Sequence, residues 1–196
     1  MIDWPKVQTR LGVKADGQFG PVSYGALLAF VAGRAVSKDL AAALAINAPT
    51  YGIDASPQRL AGFVGQCCHE SASFTTMQEL GGTAYFTRLY EGRADLGNTQ
   101  PGDGPRFHGR GMIQITGRAN YRSVGAELGL DLVGNPDLAA TPSVAVLTAL
   151  TFWKDKGLNV FCDRADWTGL TRKINGGTNG LAQRLSYINE CLGVLS

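Results

Sequence analysis

Histidine is almost missing from this chain and charge is thin: 2 histidines in 196 residues, and 17% Asp, Glu, Lys and Arg. Zinc sites draw on closely spaced His and Cys, and there is no Cys-x-x-Cys pair to supply them, which argues against a zinc centre and a zinc-dependent amidase. The acidic, glycine-rich run Asp95–Gly104 lacks the spacing of a calcium loop, so no metal and no cofactor is expected. Net charge is +2 with no Lys/Arg run, which leaves no footprint for nucleic acid. No apolar stretch approaches the roughly 18 residues of a membrane span, so no membrane insertion is expected. Met1-Ile2-Asp3-Trp4-Pro5 has neither a basic start nor an apolar secretion core, so the chain is expected to be made in the cytoplasm without a signal peptide. Four cysteines are present, Cys67, Cys68, Cys162 and Cys191. Two of them are adjacent within a predicted helix, a poor disulfide framework, and all four are expected as buried free thiols.

Strand-like alternation is also lacking over any useful length, so the expected fold is mainly α. Hydrophobic residues make up 44% of the chain, enough for a core. Residues 4–32 read as two short helices, Pro5–Leu11 and Ser23–Val31, around a turn-rich loop. Lys38–Ala48 follows as a third. Ser56 is an N-cap with Pro57 at the first helical position. From there Leu60, Phe63, Val64, Cys67 and Phe74 form one apolar stripe. Glu70 lies on the edge of that stripe, a position where a carboxyl is partly desolvated yet reachable, and His69 lies on nearly the opposite side. Residues 75–108 are dense in glycine and proline and read as a long loop, more often functional than idle. Further helices are expected over Asn120–Leu128, from Thr141-Pro142 through Trp153 to Gly157, over Trp167–Ile174 and over Leu181–Leu192.

The most informative stretch is Gly109-Arg-Gly-Met-Ile-Gln-Ile-Thr-Gly-Arg-Ala-Asn-Tyr121. Its glycines permit unusual backbone angles. Met112, Ile113 and Ile115 would anchor an extended segment along a cleft floor, with Gln114, Thr116 and Asn120 facing something polar and uncharged. Arg110 and Arg118 are placed to clamp carboxylates or loop carbonyls. Together with His69-Glu70-Ser71, and with Ile174-Asn175-Gly176-Gly177 followed by Arg184, this stretch resembles the family 19 glycoside hydrolases, which include chitinases and phage or bacterial endolysins. The motifs occur in the family's order and the resemblance covers roughly residues 40–193. It implies a lysozyme-like, two-lobed helical domain with a deep substrate groove, over residues 36–196. Residues 1–35 resemble part of a peptidoglycan-binding repeat, shorter than the usual three-helix module.

The resemblance implies an inverting mechanism. Glycoside hydrolysis of this type needs one carboxylic acid to protonate the leaving oxygen and one carboxylate to activate water. Glu70 matches the family's general acid, and Glu79 falls where the short endolysins carry the base. Glu91 is its rival, although Arg88 or Arg93 is positioned to pair with it and give it a structural task. Thr116 matches the hydroxyl that holds the attacking water. Gln114, Asn120 and Asn175 match sugar-contacting positions, and Tyr121 and Arg184 are grouped with them. Arg184 also matches an arginine that supports the acidic cluster, and Tyr121 competes with a plain core role, as does Trp153. Asn179 stands where plant chitinases of the family carry a further glutamate. His69 reads as a structural hydrogen-bonder and His108 as a groove-wall residue. The expected activity is that of an endolysin, a lysozyme-type enzyme acting as a monomer on bacterial peptidoglycan and reaching the wall after release. A chitinase of the same fold is the alternative. A catalytically dead wall-binding module is the reading from a different class, and the presence of both acids and the hydroxyl speaks against it.

Overall fold

The computed structural model describes residues 2–196. They form α1 (Trp4–Arg10), α2 (Pro21–Ala32), α3 (Lys38–Asn47), α4 (Pro57–Glu70), α5 (Thr83–Tyr90), α6 (Asp103–Arg106), α7 (Arg118–Leu128), α8 (Pro142–Asp155), α9 (Asn159–Asp163), α10 (Trp167–Asn175) and α11 (Leu181–Leu195), joined by short 3-10 turns. Among these residues no helix is long and apolar enough to cross a membrane.

α4 is the axis of the molecule. Ser56 caps it by accepting from Arg59 N at 3.2 Å. A one-sided stripe was the expectation, but every residue from Leu60 to Cys68 is buried. Two glycines make this possible. A β-carbon on Gly65 would fall 2.5 Å from Ile188 Cγ1 and 2.9 Å from Ile188 N, so α11 lies directly on the α4 backbone. Gly62 likewise admits Cys162 and Trp167. Phe63 meets Trp153 edge-on at 5.1 Å, fixing α8 on the same helix. All four cysteines are free and buried, and burial pushes the Cys162 thiol up to about 12.

The N-terminal helices share this core. Val7, Tyr24, Leu27, Leu28 and Val31 are buried in one apolar cluster with Leu40, Leu60, Ile188 and Val194. Burying each large aliphatic side chain contributes about 1.5–3 kcal/mol. Lys6 Nζ and Arg10 Nη1 donate to the carbonyls of Ser196 and Val194 at 2.8 and 2.9 Å, placing positive charge on the C-terminal end of α11. Residues 2–35 are therefore built into the body of the fold.

Two segments differ from the sequence expectation. Residues 75–108 are not a plain loop, since they contain α5 and α6. In α5, Phe86 and Tyr90 stand one turn apart and stack at 6.4 Å, a local helix signal that the surrounding glycines mask. Gly109–Ile115 is not extended but doubles back on itself. Arg110 pairs antiparallel with Gln78 on one side and with Ile115 on the other. The bonds Glu79 N to Gly109 O and Gly111 N to Met77 O, both 2.8 Å, and Ile115 N to Arg110 O, also 2.8 Å, hold this three-segment patch.

Past α4 the chain makes a left-handed turn without any glycine. Ala72, Ser73 and Phe74 have φ of 49°, 58° and 57°. Each such residue costs about 1–2 kcal/mol. Ser73 N donates to Cys68 O at 2.7 Å, and Ser71 Oγ bonds both Cys67 O and Phe74 N at 2.6 and 3.1 Å. Phe74 reaches the core from this turn rather than from the helical stripe.

Candidate active site

The end of α4, the three-segment patch and the end of α5 converge on a cleft of about 420 Å³ lined by Glu70, Thr76, Gln78, Glu79, Leu80, Tyr90, Gln114 and Thr116. Both acids, the water-holding hydroxyl and one sugar-contacting amide expected from the sequence are thus brought together. A larger cavity, about 900 Å³, lies elsewhere and includes Arg110, Arg118, Asp103 and Asp137 in its wall. Its acids are engaged: Arg118 clamps Asp103 at 2.9 and 2.5 Å, and Arg110 pairs with Asp137 at 2.7 Å. The Arg118 guanidinium holds the Asp103 carboxyl below the usual carboxylate range. The acids expected from the sequence to act on substrate line the smaller cleft instead.

Glu70, the last residue of α4, is 18% exposed. Its Oε1 accepts from Arg184 Nη2 at 2.5 Å, while Nη1 of the same guanidinium donates to Gln66 Oε1 at 2.5 Å and Nε to Asn179 O at 3.3 Å. Arg184 is only 2% exposed, so it supports the acid and does not reach substrate, contrary to its grouping with sugar-contacting residues. The Asn179 main-chain carbonyl and Gln66 complete a network in which no further glutamate takes part. Gln66 was not singled out in the sequence. Its one-turn spacing from Glu70 was the available signal.

Glu79 sits at the edge of the patch. Tyr90 Oη donates to both of its oxygens, at 2.9 and 3.0 Å, and Gly109 N donates to Oε2 at 3.0 Å. Burial and the neighbouring Glu79 raise the Tyr90 phenol far above its ordinary value, so it stays a proton donor. Gly109 permits this close approach: a β-carbon there would lie 3.2 Å from Glu79 Oε2 and 2.8 Å from Gln114 Oε1, so those side-chain ends would have to shift. Gln114 itself holds a left-handed φ of 57°, with Nε2 donating to Gly111 O at 2.8 Å. Thr116 Oγ1 donates to Gln114 O at 3.0 Å, leaving its lone pairs for a water or a sugar. Neither Tyr90 nor Gly109 was assigned a role from the sequence.

Glu91 faces away from this cleft. Its oxygens accept from Gly102 N and Gly104 N, both at 2.7 Å, at the start of α6. Arg93 pairs with Asp95 at 2.5 Å, so the structural task anticipated for Glu91 is fulfilled by backbone amides, not by arginine.

The remaining sugar-contacting expectations separate. Tyr121 is fully buried, donating to His108 O at 2.7 Å and accepting from Arg110 Nη1 at 3.0 Å, which removes it from contact with substrate. Asn120 is exposed in the first turn of α7, outside the cleft lining, with Nδ2 on Thr116 O at 2.7 Å. Asn175 closes its own turn, accepting from Gly177 N at 2.9 Å and donating to Asn179 O at 3.0 Å. His69 packs against Gly180, leaving no room for a side chain there, and Nδ1 donates to Gln183 Oε1 at 2.8 Å. His108 Nδ1 donates to Pro105 O at 2.6 Å, so its neutral Nε2 accepts from Gln78 Nε2 at 2.8 Å. Burial pushes both imidazoles below their ordinary value. Among the described residues no cluster of three or more His, Cys, Asp and Glu is arranged to hold a metal.

The sequence model of family 19 glycoside hydrolases, described as chitinase class I, matches residues 35–162. A glycosyl hydrolase family 19 domain-containing protein of Haemophilus influenzae is 32% identical over 149 residues, covering 62% of this chain and 72% of that protein. Chitinase 8 of Oryza sativa subsp. japonica is 40% identical over 97 residues, covering 49% of this chain and 34% of the rice protein. The chain thus spans most of the bacterial relative but about a third of the rice one. In three dimensions it is similar to chitinase C from Streptomyces griseus, with a TM-score of 0.71 at 21% identity over 90% of this chain and 93% of that one.

Proposed function

Since the chain belongs to glycoside hydrolase family 19, we propose that it is an endolysin, hydrolysing β-1,4-glycosidic bonds of bacterial peptidoglycan by direct inversion. The observation that carries the mechanism is the meeting of Glu70, Glu79 and Thr116 in one cleft. Glu70 Oε1 is committed to Arg184, so its proton is delivered to the leaving oxygen from Oε2. Glu79, ringed by neutral donors, takes the proton of a water that Thr116 orients. Inverting enzymes separate the two carboxyls by about 6.5–9.5 Å, with the water between them. Gln114 contacts the sugar.

Peptidoglycan as substrate is supported by the resemblance of residues 1–35 to a wall-binding repeat. That segment carries its own cavity of about 260 Å³ with Gln8, Lys14, Asp16 and Gln18 in its wall. A chitinase is the second reading, favoured by the sequence likeness to chitinase 8 of rice.

The deciding experiment digests purified sacculi and chito-oligosaccharides in parallel and identifies the new ends by mass spectrometry. New reducing-end muramic acid or glucosamine from sacculi supports the endolysin. Cleavage of chito-oligosaccharides alone overturns it in favour of the chitinase. Proton NMR of the first product shows whether the anomeric centre is inverted.

A further inference from the structure

The sequence motifs leave Tyr90 without a role, yet its hydroxyl makes two hydrogen bonds and both go to Glu79. The ring lines the cleft. It is locked from several sides. Phe86 stacks on it at 6.4 Å, and Phe86 in turn lies flat on His108 at 4.1 Å. His108 is bonded to Gln78, the chain neighbour of Glu79. Asn98 Nδ2 holds the Tyr90 carbonyl at 2.9 Å. The contacts close a ring from Glu79 through Tyr90, Phe86, His108 and Gln78 back to Glu79.

The two acids are thus held by different chemistry. Glu70 faces a buried guanidinium, and Glu79 faces a phenol and a backbone amide. A guanidinium would fix a carboxylate but stabilise its anion through full charge, making it a poorer proton acceptor. A phenol fixes the same geometry with a dipole. One proton shared between both oxygens also stops the carboxylate from rotating about its last torsion.

We propose that Tyr90 is the positioning residue of the base: it sets the rotation of the Glu79 carboxylate so that one oxygen is presented to the attacking water. This rests on Glu79 being the base, as proposed above, but not on which glycan is cut. A misplacement of the reacting group by about 1 Å costs on the order of 10²-fold in rate, and loss of one orienting bond is a partial version of that.

The test uses the full chain with Tyr90→Phe, Glu79→Asp and the double variant, assayed on chito-oligosaccharides and on soluble peptidoglycan fragments. Tyr90→Phe is expected to lower kcat roughly 10-fold or more, with KM within about two-fold and the melting temperature within a few degrees. Glu79→Asp withdraws the carboxylate from the hydroxyl by one methylene but keeps a base. In that background Tyr90→Phe is expected to add little further loss. Unchanged kcat in Tyr90→Phe, a loss confined to KM or stability, or losses that multiply in the double variant would each overturn the proposal. Wild-type activity on chito-oligosaccharides alone would sink the peptidoglycan reading, and the Tyr90 comparison is then read on chitin.

Discussion

Arg184, carried on α11, reaches across to the end of α4 and donates to Glu70 at 2.5 Å from a site that is 2% exposed. The same guanidinium holds Gln66 and Asn179. Removing it strands the Glu70 carboxyl group and an amide in a site built for a cation. Breaking such a buried pair costs about 3–5 kcal/mol, and each kcal/mol lowers the melting temperature by about 2–4 °C in a chain of this size. Arg184→Met is therefore expected to melt about 6–20 °C below wild type, measurable by calorimetry. A loss of only a degree or two would show that the network contributes little.

Glu70→Gln separates chemistry from structure at the same place. The amide oxygen still accepts from Arg184, so the fold is kept, but an amide has no acidic proton. Turnover is expected to fall by about 10²–10⁴ with unchanged circular dichroism. Activity within a few-fold of wild type would rule out Glu70 as the acid.

Gly109→Ala tests the base without replacing it. Gly109 has no positive φ, so alanine meets no backbone strain there, but its β-carbon would press on Glu79 and Gln114. The expected result is a folded protein whose kcat is reduced on the order of 10²-fold. Full activity in Gly109→Ala would mean that the carboxylate is free to move aside.

Glu91→Gln is expected to behave in the opposite way. Gln can accept from Gly102 N or Gly104 N but turns a donor toward the other, which costs about 1–3 kcal/mol. A lower melting temperature with turnover largely kept is the predicted pair of observations. A folded, inactive variant would make Glu91 the base instead.

Burial depresses both histidines in the fold and is the largest cause in each case. Unfolding frees them to bind protons near 6.5, their ordinary value. At pH about 6 the unfolded chain therefore holds more protons, and stability rises with pH. Their contribution is complete above 6.5 and is lost as pH falls toward the depressed values. Melting scans between about pH 7.5 and 5 should show this decline, and replacing both histidines by Gln should flatten it. A wild-type melting temperature that is flat over that window would contradict the assignment.

The sequence was legible where local chemistry decides structure. Ser56-Pro57 marks the start of α4, and Thr141-Pro142 marks the start of α8, because caps and proline act within one turn. Motif membership led to Glu70, Glu79, Gln114 and Thr116 in one cleft. It says nothing about which side of a wall a residue faces, so it does not separate Tyr121 and Arg184, which are buried and outside the cleft lining, from residues that line it. α5 is hidden by the glycines around it, so nothing in the sequence points to Tyr90. The burial of Leu60–Cys68 on every side of α4 depends on Gly62 and Gly65 meeting α9, α10 and α11, contacts from more than 90 positions away in the chain. The left-handed turn after α4 has no local signal at all, since Ala, Ser and Phe do not favour it.

That turn has a consequence for the width of the cleft. Nine peptide steps join Glu70 to Glu79, and drawn straight they would reach roughly 30 Å. Yet both carboxylates face one space of about 420 Å³. Ala72, Ser73 and Phe74 act as a spool that winds in the slack, and Ser71 and Tyr187 are the pegs on which it is wound, the latter bonded to Ser73 Oγ at 3.0 Å. The gap between acid and base is thus set by how this short tether is coiled. Inserting or deleting one residue within it would reset that gap while leaving α4 and the Arg110 patch in place.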